Sequence, residues 1–319
     1  MLPLSKLRGI IRIKGDKMAT KKTARQWFTE GYNLNLLEPL SDKSIAAYKK
    51  CIQLDEKFTD AYVNLGFIFL NRNEYEKALK YFSKVVQLEP NSIEAYNNLG
   101  YVYEKMERFG SAKQMFQKAL QLNPNDPEAF VNLANIADLQ GDYNGAIGLW
   151  KKAIEVDPGT ASPHFCLAVM YDRHDMFDEA MEQYREVLGI DPDHIKALFN
   201  LGNLYIQHGE YNKSLECFKR VLELDEKNAD AWNNLGSIYE EMGKEDEAIP
   251  AYRQSLNLNN FQEEAHFNLA RLEYEKNQEN FIGEKAEEIR KRLYFILSIN
   301  PKNSKALQML KNLEEDQQP

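Results

Sequence analysis

IEAYNNLGYVYEKMERFGSAKQMFQKALQLNPND, residues Ile93 to Asp126, is 34 residues long, and its pattern recurs along the chain. Within it, Tyr96, Leu99, Gly100 and Tyr103 are spaced for one face of a helix, a turn follows near Glu107, and Phe109, Ala112, Phe116 and Ala119 mark a second helix. Pro124 follows that helix, where a residue without an N–H cannot extend it. Outward from this unit, Pro90, Pro124, Pro158 and Pro192 keep the 34-residue step. So do Gly66, Gly100, Ala134, Ala168, Gly202, Gly236 and Ala270, and likewise Ala78, Ala112, Ala146, Ala180, Ser214 and Ala248. The small residues of the last two series predict a close approach of the paired helices, Gly100 opposite Ala112, with aromatics filling the gaps around it. Gly141, Gly209 and Gly243 recur at the inner turn, as helix-ending glycines do. One hairpin cannot bury its own apolar faces, so such units stack into a solenoid.

The signature positions Tyr96, Leu99, Gly100, Tyr103, Ala112, Phe116, Ala119 and Pro124 resemble those of the tetratricopeptide repeat (TPR) family, over nearly all of the chain after residue 23. The resemblance implies an all-α, right-handed superhelical solenoid of antiparallel helix pairs. About eight repeats are read, near 24–58, 59–92, 93–126, 127–160, 161–194, 195–228, 229–262 and 263–301. The first is degenerate, with Trp27, Gly31 and Leu34 on its first helix but no closing proline. The eighth carries about seven inserted residues, expected to include Asn277 to Gly283. A helix from about Ser304 to Glu314, within residues 302–319, reads as a cap. No long linker interrupts the series, which predicts one elongated domain.

The 319 residues carry a net charge of −9, with 43% hydrophobic and 28% charged residues, as in a folded protein. Residues 1 to 22 hold seven Lys and Arg against Asp16, so the remainder carries −15. The segment 1–23 reads as a basic, disordered tail, with two further options: a targeting helix bearing Leu4, Leu7 and Ile11, or a true start at Met18. The acidic remainder argues against nucleic acid and anionic membranes as ligands, and no apolar run approaches the ~18 residues of a membrane span. Cys51, Cys166 and Cys217 are few, odd in number and far apart, which suggests free thiols in a reducing, cytoplasmic setting.

In stacked hairpins the first helices line the concave side, so binding residues are sought there. Asn64, Asn98, Asn132, Asn200, Asn234 and Asn268 occupy one site in six of seven successive repeats, and Cys166 fills the seventh. Asparagine is a poor residue for a helix interior, because its side chain competes with the backbone. Two readings of the ladder stand open. Each amide can hold a peptide backbone with its donors and its acceptor, or each can bond a neighbouring helix and stiffen the stack. A similar ladder lines the superhelix of O-linked N-acetylglucosamine transferase, whose repeats this array resembles without any catalytic domain.

Asn97, Asn233, Tyr101, Asn135, Asn203, Glu104, Asp138, Asp172 and Glu240 complete the expected groove. Eleven groove acids, these four and Asp60, Glu94, Glu128, Asp230, Glu241, Glu264 and Glu275, face only Lys105, Arg173, Lys196 and Arg271. Such a surface favours neutral or basic ligands. The basic clamp with which some family members read acidic tails is not met, since its positions hold residues such as Val63, Asp230 and Asn234. No catalytic, phosphate-binding or metal motif occurs, and His164 and Cys166, two apart, do not share a helical face. The chain is thus expected to be a non-catalytic scaffold, without cofactor or metal, that binds an extended, neutral to basic peptide or partner protein. The alternatives are an accessory, substrate-recruiting subunit of a separate enzyme and a self-associating scaffold.

Overall fold

The computed structural model describes residues 21–276 and 284–315. The described residues form seventeen α-helices and no strand. They divide into two compact units, Met1–Ile136 and Ala137–Pro319, and the division falls inside the seventh helix, α7 (Pro127–Leu139).

The first unit contains α1 (Ala24–Leu37), α2 (Asp42–Leu54), α3 (Thr59–Asn71), α4 (Tyr75–Leu88), α5 (Ile93–Lys105) and α6 (Phe109–Leu122). The helix starts have local causes. Thr23 and Gln26 close a reciprocal cap at α1, and the Ser41 and Ser92 hydroxyls accept the Ser44 and Ala95 N–H groups at α2 and α5. The inner turns share one geometry. Asn73 and Glu107 take the left-handed conformation, with φ of 59° and 57°. The next N–H then reaches back to a carbonyl of the finished helix, Glu74 to Phe69 and Arg108 to Tyr103, both at 2.8 Å. Glycine fits that conformation without strain, whereas the Glu107 side chain crowds its own backbone there.

Three buried rings organise the core of this unit: Tyr48, Phe82 and Phe116, each with no exposed surface. Each lies against a glycine of the preceding helix. A methyl group on Gly31, Gly66 or Gly100 would stand 2.9, 2.6 or 2.5 Å from the ring of Tyr48, Phe82 or Phe116. The atoms nearest Gly100 therefore belong to Phe116, not to Ala112 as the spacing suggested. The small residue exists to seat a ring rather than another small residue.

The second unit contains α8 (Tyr143–Val156), α9 (Ala161–Arg173), α10 (Phe177–Ile190), α11 (Ile195–Gln207), α12 (Tyr211–Leu224), α13 (Ala229–Glu241), α14 (Glu245–Leu258), α15 (Glu263–Lys276), α16 (Glu284–Ile299) and α17 (Ser304–Glu315). Gly202 and Gly236 seat Phe218 and Tyr252 as in the first unit. Ser214 replaces the alanine of its series because its hydroxyl donates to the Gly202 carbonyl at 2.7 Å. Gly141, Gly209 and Gly243 hold the left-handed turn position, with φ between 69° and 77°. Helix α17 closes the end of the array, where Ala306, Met309 and Leu313 join Ala270, Ile289, Leu293 and Ile296 in one buried cluster. The insertion expected at 277–283 lies outside the described residues, as do residues 1–20 and 316–319.

Candidate functional site

The first helix of each hairpin carries the expected groove residues, and their environments are not uniform. All six ladder asparagines are half-buried. In the first unit, Asn64 Nδ2 donates to the Asp60 carbonyl of its own helix at 2.8 Å. Asn98 Nδ2 is buried and has no hydrogen-bond partner among the described residues, and the Asn132 side chain makes no hydrogen bond among them either. In the second unit, Asn200 Nδ2 donates to the Tyr184 hydroxyl at 2.9 Å, and Asn234 Nδ2 to Asn203 Oδ1 at 2.8 Å. One residue type at one register thus binds three kinds of partner. Asn200 and Asn234 tie neighbouring helices together, while Asn98 carries an unspent donor.

Two further asparagines are core residues. Asn97 and Asn233 are only 2% and 8% exposed. They interrupt an apolar series of Val63, Val131, Phe165, Phe199 and Phe267 at the same repeat position. Asn97 Nδ2 donates to Asp126 Oδ2 at 2.7 Å, and the same carboxylate oxygen accepts the Ala129 N–H at the start of α7. Asn97 therefore orients a helix cap. Tyr101, in contrast, is 38% exposed, with the Lys105 ammonium 4.7 Å from its ring centre. Asn135 and Asn203 are half-buried.

The acids are partly compensated. Glu104 Oε1 lies 3.5 Å from Lys105 Nζ, while its Oε2 is buried without a partner; burial raises its pKa and Lys105 only partly offsets this. Partial burial raises Glu128 as well, helped by Asp126 and Glu94. In the second unit, Asp138 faces Arg173 at 3.6 Å, and Asp172 is raised by burial and by Asp175. Glu240 accepts the Tyr252 hydroxyl at 3.1 Å and pairs with Arg271, which also holds Glu275 at 3.2 Å. Three of the four groove bases are thus engaged by groove acids. Counting paired and unpaired groups alike, the first unit's helices carry four groove acids against one base, and the second's seven against three.

Several participants were not read from the sequence. Tyr184 and Tyr252 hold the Asn200 and Glu240 side chains. Their signal was present: Tyr184 and Tyr252 add a hydroxyl at a core position that holds Phe82, Phe116, Trp150 or Phe218 elsewhere, and a buried hydroxyl seeks a partner; the Tyr48 hydroxyl at the same position has none among the described residues. A cleft beside Asn268, lined by Glu263, Glu264, Phe267, Lys302 and Lys305 between α15 and α17, was also missed. Burial pushes the Cys51, Cys166 and Cys217 thiols up to about 11, so all three are poor nucleophiles. Among the described residues, no group of three or more His, Cys, Asp or Glu side chains is placed to hold a metal ion, and no helix is long and apolar enough to cross a membrane.

Tandem helix hairpins whose first helices expose polar side chains define a helical-repeat class built for contact with other macromolecules. Family models described as TPR repeat match residues 68–107, 176–209 and 202–243, and tetratricopeptide repeat models match 47–80, 93–126, 115–148 and 229–260. The chain belongs to the tetratricopeptide repeat family, whose members bind other proteins. Among solved structures, it is similar to a chain of the APC/C hetero-tetramer Cut9-Hcn1, with a TM-score of 0.54 and 20% identity over 85% of this chain. It spans about half of that longer chain, 52%. It is similar to pilF of Pseudomonas aeruginosa, with a TM-score of 0.58 and 19% identity over 68% of this chain and 98% of that one. The C-terminal part of a TPR repeat-containing protein from Cytophaga hutchinsonii gives a TM-score of 0.58 and 19% identity over 76% and 97%. At these identities the likeness is one of fold. No curated protein matches the sequence.

Proposed function

We propose that the chain is a non-catalytic scaffold that holds an extended segment of a partner protein against its first-helix faces. In the first unit, Asn98, Asn132, Tyr101 and Glu104 form the contact. The observation that carries this reading is the Asn98 side chain, a ladder residue whose buried donor has no partner. An unmade hydrogen bond of this kind costs about 1–3 kcal/mol, and a turn of the half-buried side chain that brings the donor to the surface would let a peptide carbonyl satisfy it. Excess carboxylates on the same helices favour a neutral or basic segment. The neighbouring Tyr101 ring offers an exposed apolar surface for its side chains. Asn200 and Asn234 have a different task, since their donors already bind Tyr184 and Asn203. The compartment we propose is the cytoplasm, on the strength of three unpaired thiols.

Photo-crosslinking tests this reading. Benzoylphenylalanine in place of Tyr101, in the full chain within its own cells, should join covalently to a partner protein. A silent position 101 would remove the first-helix face from consideration.

A further inference from the structure

A second periodic series lies on the other helix of each hairpin. Lys50, Lys84 and Lys118 occupy one site on α2, α4 and α6, each 34 residues from the next. Lys49, Lys80 and Lys113 lie on the same helices. In all, α2, α4 and α6 carry eight lysines against Asp42 and Glu76, a net charge of +6. The first helices of the same unit, α1, α3, α5 and α7 to Ile136, carry five acids against Arg25 and Lys105, a net −3. In a chain of net charge −9, the charges of this unit are thus segregated by helix, although Lys43 and Lys77 are paired with Glu38 and Glu74 beyond the helix starts.

The row is unspent. Lys49, Lys50, Lys80 and Lys84 make no hydrogen bond or ion pair among the described residues, and Lys118 meets only the neutral Gln121, at 3.0 Å. Lys50 and Lys118 are exposed and Lys84 is half-buried. One turn further along each helix stands a leucine: Leu54 is 57% exposed, Leu122 is 39% exposed, and Leu88 is half-buried. Positions four apart share a helical face, so each second helix presents a cation beside an apolar side chain.

We propose that this row is a second docking surface, for an acidic segment of a partner protein carrying apolar side chains between its carboxylates. The proposal is independent of the first-helix contact. The chemistry of the row selects the occupant. All eight cations are lysines; the planar fork of arginine, which reads phosphates and base edges two bonds at a time, is missing from these three helices. An anionic membrane fits poorly, because a broad bilayer surface would press Asp55, Glu56 and Glu89, which follow directly on Leu54 and Leu88, against lipid phosphate, whereas a narrow peptide can follow the lysines and leave these acids in water. Point charges at fixed intervals suit carboxylates spaced along an extended chain.

The test uses the full chain and a fluorescein-labelled 20-residue peptide of repeating Glu-Glu-Leu-Glu. Wild-type protein should bind it, with affinity falling as salt rises. The variant Lys50→Glu/Lys84→Glu/Lys118→Glu should bind at least about tenfold more weakly. A variant of equal net charge, Lys219→Glu/Lys227→Glu/Lys244→Glu, should lose far less. Thermal melts establish that both variants are folded, and Lys50→Gln/Lys84→Gln/Lys118→Gln, which introduces no like-charge repulsion, should show the same ranking. Wild-type protein that ignores the peptide, or equal losses in the two reversed variants, would overturn the proposal. So would tighter binding, through the same three lysines, of a 20-nucleotide single-stranded DNA or of vesicles with 30% anionic lipid.

Discussion

Gly100→Ala adds one methyl group where the structure has no room for it. The new Cβ would stand 2.5 Å from Phe116 Cε1 and 2.8 Å from Cδ1 and Cζ, about 1 Å inside ordinary carbon contact. Phe116 has no exposed surface, so the ring cannot escape into solvent. Overpacking of this kind costs about 1–3 kcal/mol. Alanine also stabilises a helix interior relative to glycine by about 1 kcal/mol, which masks part of the clash. Gly148, inside α8, supplies the reference, because a methyl group there meets nothing within 4 Å. Gly148→Ala should therefore raise stability by about 0.5–1 kcal/mol. The difference between the two variants in urea unfolding should then recover the clash itself, about 1–3 kcal/mol. Hydrogen exchange should quicken in α3 to α6 before it quickens in α13 to α16, since repeats depend chiefly on their neighbours. Phe116→Leu should cost less in the Gly100→Ala background than in wild type. If Gly100→Ala stabilises the protein as much as Gly148→Ala, the glycine does not seat the ring and the packing argument fails.

Glu107→Gly should raise stability by about 1 kcal/mol, because the left-handed turn residue at φ 57° is strained for a side chain; unchanged urea unfolding would show that the turn is relaxed as it stands. Glu104→Gln should stabilise at pH 7. Its carboxyl is raised by burial, so the folded state binds the proton more tightly than the unfolded one. Stability is then lost as pH rises from the unfolded pKa, about 4.3, through the folded one. The gain in melting temperature should shrink as the pH approaches 4, and a gain independent of pH would rule out the carboxylate as its source.

Much of the fold was legible because it rests on period and size. The 34-residue step marks hairpin boundaries wherever a glycine, an aromatic and a turn residue recur. It located α5 at Ile93 and α17 at Ser304. The contact of Gly100 is not legible in the sequence, because spacing along two helices does not say which side chain fills the space between them; a ring at Phe116 reaches where Ala112 cannot. The ladder was legible as a series but not in its chemistry. Asn200 finds the Tyr184 hydroxyl where Phe82 and Phe116 have none to offer, but a hydroxyl in the column is not sufficient: Tyr48 has one that stays buried without a partner among the described residues, while Asn64 bonds its own helix. Asn234 finds Asn203, whose place in earlier repeats is taken by Phe67 and Tyr101. Asn97 and Asn233 were expected in the groove because a helical wheel places them beside it. The apolar series that they interrupt marks their positions as buried, and comparison down the column of repeats exposes this where comparison along one helix does not.

The central claim is that unspent ladder donors, not the ladder as a whole, hold the partner. Crosslinking from position 101, repeated in two double variants and read beside thermal melts, tests it most directly. Asn98→Ala/Asn132→Ala should remove two peptide hydrogen bonds, about 1–3 kcal/mol together, and so weaken the crosslinked band about 5- to 150-fold at limiting partner, while leaving the melting temperature equal or slightly higher. Asn200→Ala/Asn234→Ala should lower the melting temperature and leave the position-101 band largely intact. A band that survives loss of Asn98 and Asn132, together with a melting temperature that falls in that variant, would contradict the claim and make the whole ladder architectural.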